Sequence, residues 1–240
     1  MTRSVLVTGG SRGIGEGIVR GLADNSVRVG CGYVRSEAAA GRLAEEYPGL
    51  VHPVRYELGD ASSAEAAVAN CVSEFGGLDG VIAPAGVWAG GLVSRLDAAE
   101  WSRVVSTNLD GVAQICRAAL PHLVESAGGS ITIVSSVVGI AGGAGDTAYA
   151  SAKAGLIGFA RSLAKEVARD GVRVNVLAPG FVQTDMTAQV PENSLERIQR
   201  DTLLGRAGTV EEIAAAAIYL SEDATFCTGS VLTVDGGWSV

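Results

Sequence analysis

The sequence is poor in aromatic residues, with 5% Phe, Trp and Tyr, and has no apolar run near the ~20 residues that a membrane-crossing helix needs. Its first apolar stretch, Val5-Leu6-Val7 before Thr8-Gly9-Gly10, is too short for a secretory leader. A cytoplasmic protein without a membrane partner is therefore expected. Positive charge is also short: 18 Lys and Arg against 26 Asp and Glu leave a net charge of −8. That field does not draw in nucleic acid or anionic lipid. The four cysteines, Cys31, Cys71, Cys116 and Cys227, are scattered in apolar stretches with no Cys-x-x-Cys pair. This spacing argues against a zinc site and a disulfide framework, so buried inert thiols and no metal site are expected. No repeat, charge block or low-complexity linker divides the chain.

What remains is a 240-residue chain that is 48% apolar and holds 33 glycines, enough to bury one core, so residues 1–240 are read as a single domain. Short β-branched runs recur at Val5–Thr8, Val27–Tyr33, Val51–Tyr56, Gly80–Ala83, Ser130–Ser135, Val172–Leu177 and Ser230–Val234, separated by segments of helical apolar spacing. Such alternation predicts an α/β fold, a doubly wound (Rossmann) parallel sheet of seven strands with helices on both faces. The strands are almost wholly apolar, as strands covered on both faces are. Capping-box pairs mark three helix starts: Ser62 with Glu65, Asp97 with Glu100, and Thr209 with Glu212.

Directly after the first strand stands Thr8-Gly9-Gly10-Ser11-Arg12-Gly13-Ile14-Gly15, opening a helical pattern. Gly9, Gly13 and Gly15 lack Cβ atoms and let backbone approach a pyrophosphate, which the positive helix end favours. The spacing is Gly-x3-Gly-x-Gly, so position after strand one carries the nucleotide assignment. About 20 residues past the last of these glycines, an NAD site puts an acid on the ribose 2′-hydroxyl. Arg35 stands there instead, preceded by Val34. With Arg12 it can flank a 2′-phosphate, which points to NADP(H). The alternatives at this point are that both arginines are merely solvated, or that Glu37 pairs with Arg35.

Tyr149 and Lys153 lie at i and i+4 on one face of a helical pattern. A phenol titrates near 10, and a neighbouring cation stabilises its phenolate, so this spacing makes a general acid of Tyr149. Ser136, at the end of a strand upstream, offers a hydroxyl to a carbonyl.

Together with the glycine turn, these residues make the chain resemble the short-chain dehydrogenase/reductase family over nearly its whole length. Thr107-Asn108-Leu109, Val174-Asn175-Val176-Leu177-Ala178-Pro179-Gly180, Thr184-Asp185-Met186, Gly205-Arg206-x-Gly208-x2-Glu211-Glu212 and Val234-Asp235-Gly236-Gly237 extend the likeness. The resemblance implies a tetrad: Tyr149 gives the proton, Ser136 polarises the carbonyl, Lys153 lowers the Tyr149 pKa, and Asn108 positions a water. It also implies that Lys153, with Tyr149 beside it, holds the nicotinamide ribose. Pro179, Gly180, Val182 and Thr184 would border the nicotinamide, and residues 186–201 would form a substrate lid. Within the family, the stretches around Ser136 and Thr184 look most like 3-oxoacyl-[acyl-carrier-protein] reductases. That likeness implies a carbonyl substrate on acyl carrier protein and a homotetramer built on the helices carrying Asn108 and Tyr149. The alternative is a reductase of a free or polyketide-derived ketone.

Several positions depart from the family pattern. Its Asn-Asn-Ala-Gly reads Ala83-Pro84-Ala85-Gly86, and Pro84 removes a backbone donor next to the adenosine. The adenine pocket reads Glu57-Leu58. Trp88 stands where substrate would enter, read equally as pocket wall or as ordinary packing, and Asp146 alters the wall before Tyr149. Where the family carries basic residues for an acidic carrier protein, this chain has Ala127 and Asp170, with Arg169 adjacent.

Overall fold

In the computed structural model, residues 2–126, 128–185, 187–188, 190 and 192–240 are described. The strands are β1 (Ser4–Val7), β2 (Arg28–Tyr33), β3 (Val51–Arg55), β4 (Gly80–Ala83), β5 (Ser130–Val134), β6 (Arg173–Pro179) and β7 (Val231–Val234). All pair in parallel, in the order β3-β2-β1-β4-β5-β6-β7. The helices are α1 (Gly13–Asp24), α2 (Glu37–Glu46), α3 (Ala61–Phe75), α4 (Ala98–Val105), α5 (Gly111–Glu125), α6 (Val138–Ala141), α7 (Thr147–Val167), α8 (Glu192–Asp201) and α9 (Val210–Ile218).

Side chains alternate across a strand, so one sheet feeds two cores. Leu6, Val81, Ile131 and Val174 pack with Val68 of α3, Ile115 of α5 and Leu156 of α7 on one face. Val5, Val7, Ile82 and Leu177 pack with Ile18 and Leu22 of α1, Leu43 of α2 and Ile213 of α9 on the other. Burying a side chain such as Leu6 or Ile131 contributes about 1.5–3 kcal/mol, and two such layers leave every central strand without a wet face. No helix among the described residues is long and apolar enough to cross a membrane.

The seven expected strands are all present, with ends shifted by a residue or two. β6 runs further than expected, through Pro179, because β7 pairs with it as far as Pro179 and Val234. Two of the three expected caps need correction. Asp60, not Ser62, caps α3, accepting from the Ser62 and Ser63 amides at 2.8 and 3.2 Å. Asp97 caps α4, but Glu100 turns to Arg103 instead of reaching back. The Thr209–Glu212 box is complete.

The sequence order turns back between β1 and β4, where crossovers leave in opposite directions. In an open parallel sheet this is where a crevice opens at the carboxyl ends of the strands. Thr8, Pro84, Ser135 and Gly180 all follow strands at that end.

Candidate active site

The turn from β1 into α1 is shaped for close approach. Gly9 and Gly13 sit at φ +64° and +52°, which disfavours any side chain. A Cβ on Gly9 would stand 3.0 Å from the Ala85 Cβ, and one on Gly15 would collide with the Gly9 carbonyl oxygen. No side chain caps α1, so its first amides face the crevice without a side-chain acceptor. Ser11 is buried and Ile14 packs into the core, which fixes the turn from below. Thr184 leans over it, with a Cβ on Gly13 reaching 3.6 Å from the Thr184 Cβ. This cradle fits a pyrophosphate.

Arg12, Val34 and Arg35 are exposed on the same end of the sheet. Among the described residues neither arginine forms an ion pair, so the Glu37–Arg35 alternative is not realised. Glu57 is exposed after β3, while Leu58 packs on the core beside Gly111. Pro84 follows the last residue of β4, and the Ala85 amide reaches the Thr8 hydroxyl at 3.4 Å.

Asn108 lies in a π-helical turn, Ser106–Asp110, that joins α4 to α5. Its Nδ2 donates to the Val87 and Val104 carbonyls, each at 2.7 Å, and its Oδ1 accepts from the Val87 amide at 3.2 Å. Both amide hydrogens are therefore spent within the chain. Through these bonds the side chain clamps the loop after β4. Gly86 makes the approach possible, since a Cβ there would strike Asn108 Oδ1 and lie 3.5 Å from Lys153 Nζ.

Lys153 is 2% exposed, and its Nζ donates to the Val134 carbonyl at 2.9 Å. Ser135 Oγ donates to the Lys153 carbonyl at 2.8 Å, tying α7 to the end of β5. Desolvation lowers the Lys153 pKa to about 8. Its ammonium lies 5.5 Å from the centre of the Tyr149 ring. Burial raises the Tyr149 pKa, with the Asp146 charge adding to it. The Tyr149 shift comes from burial and Asp146, while Lys153 Nζ is held by a main-chain carbonyl. Ser136 stands between two anchored neighbours, the Ser135 amide on the Leu177 carbonyl (2.7 Å) and the Val137 amide on the Pro179 carbonyl (3.0 Å). Its Oγ accepts from the Val138 amide at 3.4 Å, and among the described residues its hydrogen has no acceptor.

Pro179 is buried, and Gly180 packs against Asp235, where a Cβ would come 2.7 Å from the Asp235 Cα. Val182 is held by a bridge to Gly208, whose amide donates to the Phe181 carbonyl at 2.9 Å. Glu212 secures that strip: it accepts from Thr209 N and pairs with Arg206, which together hold its pKa at about 2. Met186, Gln189 and Pro191 of the expected lid, and Ala127 of the docking positions, lie outside the described residues.

The rim carries a contact that the sequence left open. Trp88 Nε1 donates to Asp146 Oδ1 at 2.7 Å. Cys31, Cys71 and Cys116 are buried, which pushes each thiol up to about 12, and no His, Cys, Asp and Glu grouping among the described residues suits a metal.

A doubly wound parallel sheet with a glycine cradle after β1, Ser136 after β5, and Tyr149 and Lys153 on the helix tied to that strand's end is the arrangement of a short-chain dehydrogenase/reductase. Residues 9–239 match the family described as enoyl-(acyl carrier protein) reductase, and the chain belongs to that family of short-chain dehydrogenases/reductases. It is accordingly an oxidoreductase with a nicotinamide cofactor. The chain is 39% identical over 241 residues to the 3-oxoacyl-[acyl-carrier-protein] reductase of Chlamydia muridarum, covering 99% of this chain and 97% of the relative. It is 38% identical over 233 residues to the enzymes of that name from Salmonella typhimurium and Escherichia coli, covering 97% of this chain and 95% of each relative.

Proposed function

We propose that this protein is an NADPH-dependent reductase of 3-oxoacyl thioesters, turning the 3-oxo group of a chain carried on acyl carrier protein into a 3-hydroxy group. The observation that carries this reading is the buried Lys153 ammonium 5.5 Å from the centre of the Tyr149 ring, on a helix tied by Ser135 to the end of β5 next to Ser136. The printed names of the relatives support the substrate.

When bound, the cofactor supplies hydride to the carbonyl carbon. Gly9, Ser11, Gly13, Ile14 and Gly15 would hold its pyrophosphate, and Arg12 and Arg35 its 2′-phosphate. Val34, Glu57, Leu58, Pro84, Ala85 and Gly86 would border the adenosine side; Pro179, Gly180, Val182 and Thr184 the nicotinamide side. Ser136 gives its uncommitted hydrogen to the substrate oxygen. Tyr149, kept protonated by burial, delivers its proton to the same oxygen as charge develops there. Lys153 then stabilises the phenolate left behind, and Asn108 holds the loop after β4 in place. The family likeness further implies a cytoplasmic homotetramer assembled on the helices that carry Asn108 and Tyr149.

A second reading, reduction of a free ketone, is favoured by Asp170 where the family carries a base for carrier docking. The test is NADPH oxidation by purified protein with acetoacetyl-carrier protein, the acetoacetyl thioester of N-acetylcysteamine, and cyclic ketones. Turnover of both thioesters, faster on the carrier, is expected. Turnover of ketones without thioesters would replace the first reading by the second.

A further inference from the structure

Two loops meet just before Tyr149, one leaving β4 and one entering α7. They are joined twice: the Gly91 amide donates to the Gly145 carbonyl at 2.8 Å, and Trp88 Nε1 donates to Asp146 Oδ1 at 2.7 Å. The first loop is anchored at its root, where Val87 meets Asn108 through both its amide and its carbonyl. The backbone is cut to seat the pair. A Cβ on Gly90 would come 2.5 Å from the indole Cζ2, and one on Gly143 would come 2.8 Å from Asp146 Oδ2.

Asp146 also forgoes the role its position offers. An aspartate preceding a helix normally accepts from first-turn amides, yet Asp146 caps α7 with no side-chain bond and gives its carboxylate to the indole. A negative charge is thereby set one turn before Tyr149, joined to an indole that is 48% exposed. The same charge adds to burial in keeping the Tyr149 phenol protonated.

The geometry points to Trp88 and Asp146 as a specificity pair that admits a neutral, apolar 3-oxoacyl group to Tyr149 and turns away the corresponding free 3-oxo carboxylate. The indole offers apolar surface to the acyl chain, and the carboxylate repels a second carboxylate brought to the same hydroxyl. A carrier-bound substrate is thus distinguished from its own hydrolysis product. This inference rests on the thioester reductase reading.

The experiment compares kcat/KM with NADPH for the neutral acetoacetyl thioester of N-acetylcysteamine and for acetoacetate, in the parent, Asp146→Asn and Trp88→Phe. Asn keeps an acceptor for the indole and removes only the charge; Phe keeps apolar surface and removes only the donor. In the parent the thioester is preferred. In Asp146→Asn the ratio of thioester to acetoacetate falls at least about tenfold, a comparison in which any change in proton delivery by Tyr149 is common to both substrates. In Trp88→Phe the KM for the thioester rises with kcat little changed. An unaltered ratio in Asp146→Asn, or a parent that reduces acetoacetate as well as the thioester, overturns the inference. A parent inactive on both thioesters but active on a neutral ketone defeats the thioester reading alone; the ratio is then read with that ketone and its carboxylated analogue, under the same criteria.

Discussion

Lys153 gives its hydrogen bond to the Val134 carbonyl, 2.9 Å away, while its ammonium rests 5.5 Å from the centre of the Tyr149 ring. The charge is thus stored beside the phenol, at the end of β5, with no carboxylate pairing it among the described residues. Holding a cation in this way destabilises the folded chain, and the cost is measurable.

For Lys153 the folded pKa of about 8 lies below the ordinary 10.5. Below pH 8 both folded and unfolded states carry the proton, and the folded state bears the full penalty, about 3 kcal/mol at 1.36 kcal/mol per unit. Between pH 8 and 10.5 the unfolded state binds more protons, so this penalty fades as pH rises. Lys153→Met should therefore be more stable than the parent at pH 7 by about 2 kcal/mol, after about 1 kcal/mol for the stranded Val134 carbonyl. Urea unfolding at several pH values should find that difference shrinking from pH 8 upward, and the variant should be inactive. A less stable variant at pH 7 would contradict the assignment of a strained buried ammonium.

Tyr149→Phe removes one oxygen from a half-buried side chain whose hydroxyl has no partner among the described residues, so stability should hardly change. If that hydroxyl is the proton source, kcat/KM should fall by about 10²–10⁴. NADPH binding, followed by fluorescence titration, should stay within about threefold. Turnover equal to the parent's would remove Tyr149 from the mechanism.

The seven strands were legible because strands covered on both faces are written as near-continuous apolar runs, and Val5-Leu6-Val7 or Ser130-Ile131-Thr132-Ile133-Val134 fit nothing else so well. Tyr149 and Lys153 were legible through helical spacing, and Gly9, Gly13 and Gly15 through their position after β1. What the sequence hid were partners with no side-chain signature. The Val134 carbonyl on Lys153, and the Val87 and Val104 carbonyls on Asn108, are main-chain atoms that any residue supplies. Trp88 and Asp146 meet only because two loops are brought together by the fold. Asp60 outcompeted Ser62 at the start of α3 because its one carboxylate oxygen satisfies two amides at once.

Glu212 sits far from the tetrad in sequence but fastens the strip that holds Val182. Glu212→Ala removes the carboxylate from both Thr209 N and Arg206, ending the capping box of α9. The loss should lower stability by about 1 kcal/mol in urea unfolding. Because Gly208 bridges Val182, NADPH affinity should weaken by about fivefold with kcat much less affected. A stability loss without any change in NADPH affinity would show that the strip does not reach the cofactor.

Arg35 tests the cofactor choice most directly. It is exposed after β2, and among the described residues its side chain forms no ion pair or hydrogen bond that a replacement would break. A guanidinium bonding a 2′-phosphate contributes about 1.5–3 kcal/mol, which is roughly ten- to a hundredfold in affinity. Arg35→Asp exchanges that attraction for repulsion and supplies the acceptor that a ribose 2′-hydroxyl needs. The ratio of kcat/KM for NADPH over NADH should accordingly fall by at least about a hundredfold, and Arg12→Ala should lower it further in the same direction. Since NADH lacks the 2′-phosphate, its kcat/KM should hold or rise in Arg35→Asp. An unchanged ratio in both variants would mean that neither arginine meets the phosphate, and the cofactor preference would have to be read from another part of the crevice.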